Sequence, residues 1–334
     1  MTQLLVNELR NGLVEMCHRI SVAVVDHHGT VQLVRGDPEM TTYLRSAAKP
    51  FQVLPLLEHA GRGEIDLSDE EVALACASHN SEIAQVELVA KFLNRLGLRE
   101  DMLACGPHVP LYRALGRYTG PNGTVPQLAP ESRIASNCAG KHTAMLALAQ
   151  LSGWELEGYE KPDHPVQREC LRSVAGWAGV AESSIGIGVD GCGVATFAMP
   201  LRSMAAAYSR LASDQGTAAR RVIGAMTDHA HLVAGTRRLC TALMQRYPGS
   251  VVAKMGAGGV YLAGLIREGL GIALKCEDGS ARANEVALIW ILKELGLQPD
   301  PTVELHYFFE QHILNTRREI VGSYVVSEEG DTAY

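Results

Sequence analysis

Segments with strand character lie at the two ends of this 334-residue chain, and segments with helix character fill its middle. Near the N-terminus residues 20–25 run into Asp26-His27-His28-Gly29-Thr30 and then residues 31–34. Two β-type runs around a glycine-containing turn predict a hairpin. Near the C-terminus residues 258–265, 270–276 and 319–326 read as strands. Residues 284–295 carry Leu288, Ile289, Leu292 and Leu295 at helical spacing, ahead of Gly296, and read as a helix. Residues 68–76, 83–96, 139–151, 165–178 and 204–211, rich in Ala, Leu, Glu and Gln, read as further helices. No repeat, low-complexity linker or charge run marks a boundary. The expected fold is therefore α/β (α+β): one unit over 1–334, with an antiparallel sheet from about 1–45 and 250–334 and a helical portion over about 46–249.

Composition narrows the class. Hydrophobic residues make up 47% and charged residues 20%, enough to bury a core, so a disordered chain is excluded. With 30 basic and 37 acidic side chains the net charge is −7, and the basic footprint of a nucleic-acid binder is missing. No run of about 18 apolar residues offers a membrane span, and the start lacks the pattern of a secretion signal. The expected location is the cytoplasm. The eight cysteines include no CxxC pair and read mostly as small buried hydrophobes rather than a disulfide framework.

Three short motifs carry chemistry. In Arg45-Ser46-Ala47-Ala48-Lys49-Pro50, Lys49 follows Ser46 by about one helical turn. A lysine beside a serine hydroxyl takes its proton when burial or neighbouring cations lower the amine's pKa. Ala77-Ser78-His79-Asn80-Ser81-Glu82 places a hydroxyl and an amide before a helix. In Val252-Ala253-Lys254-Met255-Gly256-Ala257-Gly258-Gly259 a strand ends in a lysine and glycines whose N–H groups can approach a ligand. Taken singly, each serine reads equally as a helix cap and the glycines as a turn. The ordered set Ser-x-x-Lys, Ser-x-Asn, Lys-x-Gly is the order of penicillin-recognising peptidases, serine β-lactamases and related glutaminases.

A second constellation sets the chain apart. Ser136-Asn137-Cys138-Ala139-Gly140-Lys141-His142 opens a helix, and Gly188-Val189-Asp190-Gly191-Cys192-Gly193 brings a carboxylate and a thiol into a glycine-rich turn. Two thiols, a nitrogen and a water would complete a tetrahedral zinc site with one open position. Lys141 is a rare ligand because its amine must first lose a proton, and His142 is the ordinary alternative. Two buried cysteines without metal remain the plain structural reading.

Together, Ser-x-x-Lys-Pro-x-Gln, Ser-His-Asn-Ser-Glu, Asn-Cys-x-Gly-Lys-His and Val-Asp-Gly-Cys-Gly resemble the rhizobial-type L-asparaginases, the class 3 or asparaginase II family, from about Ser46 to Gly259. The resemblance implies a serine β-lactamase/glutaminase-like fold and a cytoplasmic homodimer that converts L-asparagine to L-aspartate and ammonia. It implies Ser46 with Lys49 and Ser78 with Lys254 as two catalytic Ser-Lys pairs, and Cys138, Lys141 and Cys192 as zinc ligands. Asp190 and His142 are expected to line the substrate pocket, with Arg45, Asn80, Gly256 and Ala257 around it. In the expected mechanism Lys49 deprotonates Ser46, an acyl-enzyme forms, and Ser78 with Lys254 relays the proton to ammonia. Zinc is expected to orient substrate, with Asp190 pairing the α-ammonium. A glutaminase or broader amidase on the same scaffold, a non-catalytic zinc- and thiol-binding protein, and a β-lactam-binding peptidase are the alternatives.

Overall fold

A computed structural model describes residues 2–115, 125–297, 308–309 and 312–330. Among these, eleven strands follow in chain order: β1 (Leu4–Arg10), β2 (Leu13–Asp26), β3 (Val31–Arg35), β4 (Thr41–Tyr43), β5 (Gly186–Val189), β6 (Ala195–Pro200), β7 (Val251–Gly256), β8 (Val260–Leu265), β9 (Leu270–Cys276), β10 (His312–Leu314) and β11 (Ile320–Glu328). The helices are α1 (Lys49–Gln52), α2 (Leu54–Gly61), α3 (Asp69–Ala75), α4 (Ile83–Arg95), α5 (Leu111–Ala114), α6 (Ala139–Leu151), α7 (Pro165–Ala178), α8 (Leu201–Ser213), α9 (Thr217–Asp228), α10 (Ala230–Val233), α11 (Leu239–Arg246) and α12 (Ala281–Glu294). None is long and apolar enough to cross a membrane.

The chain forms two compact units. The first comprises Met1–Ala47, Met199–Ser213 and Ala253–Tyr334, and the second Ala48–Ala198 and Asp214–Val252. The first unit is a mixed α/β layer that joins the chain ends to Met199–Ser213, a segment from the portion read as helical. Its sheet runs β10-β11-β1-β2-β9-β8-β7, with β3 paired to β2. β1 lies antiparallel to both β11 and β2, and β2 antiparallel to β9. Val22, Ala23, Val24 and Val25 are all buried, the pattern of a strand covered on both faces. Helices α8 and α12 pack against this sheet. The expected hairpin is β2–β3, closed by Asp26, whose carboxylate accepts from the N–H groups of His28 and Thr30. The strands not read from the sequence include β1, β4, β5, β6, β10 and the first half of β2, whose Leu13, Val14 and Met16 are exposed and show no alternation.

The second unit is mostly helical, with one antiparallel pair, β5–β6, inside the region read as helices. Helix α3 begins where the sequence says it should. Ser68 accepts from the Glu71 N–H while the Glu71 carboxylate accepts from the Ser68 N–H, a reciprocal cap. Helix α6 lies against α3 and α4 and is buried along nearly its whole length, from Ala139 to Ala149.

Candidate active site

Lysine 49 opens α1 with its side chain fully buried. Its ammonium donates to Ser78 Oγ at 3.0 Å, to the Ala77 carbonyl and to the Asn137 carbonyl at 3.3 Å. Burial drives its pKa below the ordinary lysine value, and the Lys141 cation pushes the same way; the Cys138 and Cys192 sulfurs oppose them. Lys49 thus meets the hydroxyl of Ser78, a partner that the Ser-x-x-Lys spacing does not give. Residues Arg45–Ala48 form a 3-10 turn, and α1 begins at Lys49.

Ser78 and its neighbours are held from far along the chain. The Arg238 guanidinium, 1% exposed, donates to the Ser78 carbonyl at 3.1 Å and to Asn80 Oδ1 at 3.0 Å. Asn80 Nδ2 donates to Glu82 Oε1 at 3.0 Å and to the Thr236 carbonyl at 2.9 Å. Glu82 also accepts from the Thr236 N–H and faces His231 at 2.8 Å. Burial alone would raise the Glu82 pKa, but His231, Thr236 and Asn80 together hold it below the usual carboxylate value. Gly235 sits over this group at φ +106°; a Cβ there would lie 2.6 Å from Glu82 Oε1 and 2.7 Å from Asn80 Nδ2. Ser81, at φ 68°, holds the turn in the left-handed region and donates to the Ala135 carbonyl at 2.6 Å.

His79 is fully buried between Ser78 and Asn80, and its Nδ1 accepts from the Ser81 N–H at 3.1 Å. That bond leaves the proton on Nε2, which has no hydrogen-bond partner among the described residues. Burial, with Lys49 and Arg238 nearby, lowers its pKa to about 3. An imidazole that stays neutral in the fold but charges near 6.5 when unfolded binds fewer protons in the native state between those values. Stability is therefore expected to fall as pH drops from about 6.5 toward 3, by roughly 1.4 kcal/mol per pH unit from this group. His79→Gln should flatten that limb in urea titrations; an unchanged slope would show that His79 is charged in the fold.

The cysteines and Lys141 form the adjoining cluster. Cys138 caps the start of α6, and Lys141 stands one turn later. Lys141 Nζ donates to Cys192 Sγ at 3.2 Å. The Cys138 thiol hydrogen-bonds to Cys192, which together with burial raises Cys138 to about 12. The same bond, helped by Lys141, lowers Cys192 to about 5. Burial disfavours the Lys141 charge, but the Cys192 and Cys138 sulfurs and Asp190 outweigh it and raise its pKa. Two sulfurs and an amine thus lie together, Cys192 being the more acidic thiol and the Lys141 charge being favoured by its neighbours. Two sulfurs and a nitrogen are a fit donor set for zinc, provided Cys138 and Lys141 release their protons on binding.

His142 is turned elsewhere. Its Nδ1 meets the Tyr159 hydroxyl at 2.6 Å, and that hydroxyl accepts from the Ala104 N–H at 2.9 Å. Burial holds His142 neutral, at about 3. Asp190 is half-buried beside Gly191, whose N–H it accepts at 2.7 Å. A cleft of about 330 Å³ opens at Asp101, Met102, Ala104, Leu156, Tyr159 and Glu160, lined by none of the expected catalytic residues.

The first unit holds the other expected residues. Ser46 is half-buried in its turn, behind Arg45 at φ 51°. Lys254 is buried on β7 and donates to the Met255 carbonyl at 3.1 Å. Gly256 is buried and Ala257 exposed. Sequence reasoning missed His79, Glu82, Tyr159 and Arg238 as site residues. Only the first two carried a signal, by lying inside the Ser-x-Asn motif.

The chain belongs to the L-asparaginase II family, whose model matches residues 6–326. It is thus a hydrolytic enzyme acting on amides. No curated protein sequence matches it. Among solved structures it is similar to Mglu in its native form at 15% identity, covering 85% of this chain and 67% of that one, with a TM-score of 0.47. A β-lactamase from Mycobacterium bovis matches at 12% identity over 82% of this chain and 94% of that one, TM-score 0.44. EstCE1, a hydrolase with promiscuous acyltransferase activity, matches at 12% identity over 79% and 91%, TM-score 0.42.

Proposed function

We propose that the protein hydrolyses the side-chain amide of L-asparagine to L-aspartate and ammonia through an acyl-enzyme on a serine that Lys49 activates. The observation that supports this reading is the buried Lys49 amine 3.0 Å from Ser78 Oγ, with its pKa lowered. A neutral Lys49 takes the Ser78 proton as Oγ attacks the amide carbon. The C–N bond then breaks and ammonia leaves with that proton. Water, deprotonated by the same amine, cleaves the ester and frees Ser78. A second reading rests on the spacing of Ser46, three residues before Lys49: Ser46 is acylated and Ser78 relays the proton. Lys254 is the proposed second amine, serving deacylation.

Cys138, Lys141 and Cys192 are the proposed zinc ligands; when bound there, zinc would supply a fixed positive charge that orients substrate. Asp190 is proposed to pair the substrate α-ammonium. The same reading makes the protein a cytoplasmic homodimer.

Ammonia release with asparagine and with glutamine, followed by peptide mapping of the trapped acyl adduct, tests the reading. Asparagine is expected to turn over faster, and one methylene in the pocket discriminates by about 10–200-fold. Faster glutamine turnover would make the protein a glutaminase. An adduct on the peptide bearing Ser78 supports the first reading, and one on the Ser46 peptide the second. No ammonia from either amide would leave a binding protein on a hydrolase scaffold.

A further inference from the structure

The first unit holds a further convergence of ligating atoms, on residues not assigned above. His18, Cys276 and Asp278 each offer one donor atom, and these atoms lie within 4.8 Å of one another. The sheet register explains the convergence. Val6 pairs with His18 across β1–β2, and Ile20 with Cys276 across β2–β9. The Glu277 N–H donates to the Arg19 carbonyl at 3.0 Å, carrying the ladder past the end of β9. Asp278 therefore falls opposite His18. Because side chains alternate between faces, Glu8, His18, Cys276 and Asp278 project to one face of three neighbouring strands.

The hydrogen bonds there form a pattern characteristic of metal sites. His18, 2% exposed, stands between two carboxylates, with Nε2 at 3.1 Å from Glu8 Oε1 and Nδ1 at 2.5 Å from Asp278 Oδ2. Cys276 Sγ lies 2.9 Å from Asp278 Oδ1. With Nε2–H on the Glu8 carboxylate, Nδ1 is the ring atom on the Cys276 and Asp278 side, and it ligates a metal once its hydrogen bond to Asp278 is given up. This carboxylate–histidine arrangement supports metal-bound imidazoles. Tetrahedral zinc bonds of about 2.0–2.3 Å need donor separations of roughly 3.3–3.8 Å, so small rotations of the Cys276 and Asp278 side chains open room for the ion. Asp278 is half-exposed, which leaves a fourth position for water.

We propose that His18 Nδ1, Cys276 Sγ and the Asp278 carboxylate bind one zinc-class divalent cation, with Glu8 as the outer hydrogen-bond partner of His18. Binding displaces the Cys276 thiol proton and the proton shared by His18 and Asp278 to solvent; no redox step is involved. The ion ties the β1–β2 hairpin to the turn that leads from β9 into α12. None of these ligands is assigned to the proposed reaction or to the Cys138, Lys141 and Cys192 set.

The test uses the full chain, stripped with a chelator, dialysed against buffered Zn²⁺ and assayed for bound zinc by elemental analysis. His18→Gln and Cys276→Ser are each expected to bind one equivalent fewer per chain than wild type, while Cys138→Ser retains that equivalent. Glu8→Gln should keep the stoichiometry and weaken binding by about 10–100-fold. Asp278→Asn, on the more exposed ligand, provides the same comparison if a buried variant fails to fold. Equal zinc content in wild type, Asp278→Asn and whichever buried variants fold would overturn the proposal.

Discussion

Lys49→Met is expected to lower kcat/KM for asparagine by about 10²–10⁴-fold, the usual worth of a positioned general base. The methionine preserves most of the buried volume but cannot accept a proton. The wild-type pH profile should rise with a group whose pKa lies below the ordinary lysine value of about 10.4, because burial penalises the ammonium in the fold. The variant's residual rate should lose that limb. Stability supplies a second readout. Between its lowered folded pKa and its unfolded pKa, Lys49 binds fewer protons in the native state, so wild-type stability gains with rising pH across that window. The difference between wild type and Lys49→Met should therefore shift in favour of wild type as the solution becomes more alkaline. An unaltered pH profile in an active Lys49→Met protein would remove Lys49 from catalysis.

Gly140→Ala is expected to be the most damaging single methyl in the second unit. Gly140 lies in the first turn of α6, where that helix presses on the end of α3. A Cβ there would stand 2.2 Å from the Leu74 carbonyl oxygen and 2.7 Å from its carbon. The obstacle is backbone, which no rotamer change relieves. The cost should reach the upper end of the overpacking range, about 3 kcal/mol, read as a lower urea midpoint. Moving α6 also shifts Lys141 and the preceding Asn137 carbonyl that Lys49 bonds. Ammonia release should therefore fall even under conditions where the variant is folded. A variant with wild-type midpoint and rate would mean that α6 and α3 stand further apart than described.

Much of this molecule was legible before folding. The α3 segment was read from its composition, and Ser68 and Glu71 fix its start because a cap is a local contest for the first N–H groups of a helix. The β2–β3 hairpin and strands β8 and β9 were legible as short apolar runs bounded by turns. The motif residues were recognisable by type and spacing. β1 was not, because Asn7 and Glu8 interrupt its apolar pattern and its order comes from pairing with β11 at the far end of the chain. β5 was hidden by its two glycines, whose strand conformation depends on β6.

Which groups touch was a different matter. The spacing in the chain pairs Lys49 with Ser46 and gives no hint of Ser78, which its amine reaches, and the guanidinium steadying Asn80 comes from 158 positions away. Caps, turns and amphipathic faces depend on interactions over one or two turns, which the order of residues specifies by itself. Proton affinities and partners of buried groups depend on desolvation and on charges brought together by distant segments, and these exist only once the chain has closed on itself.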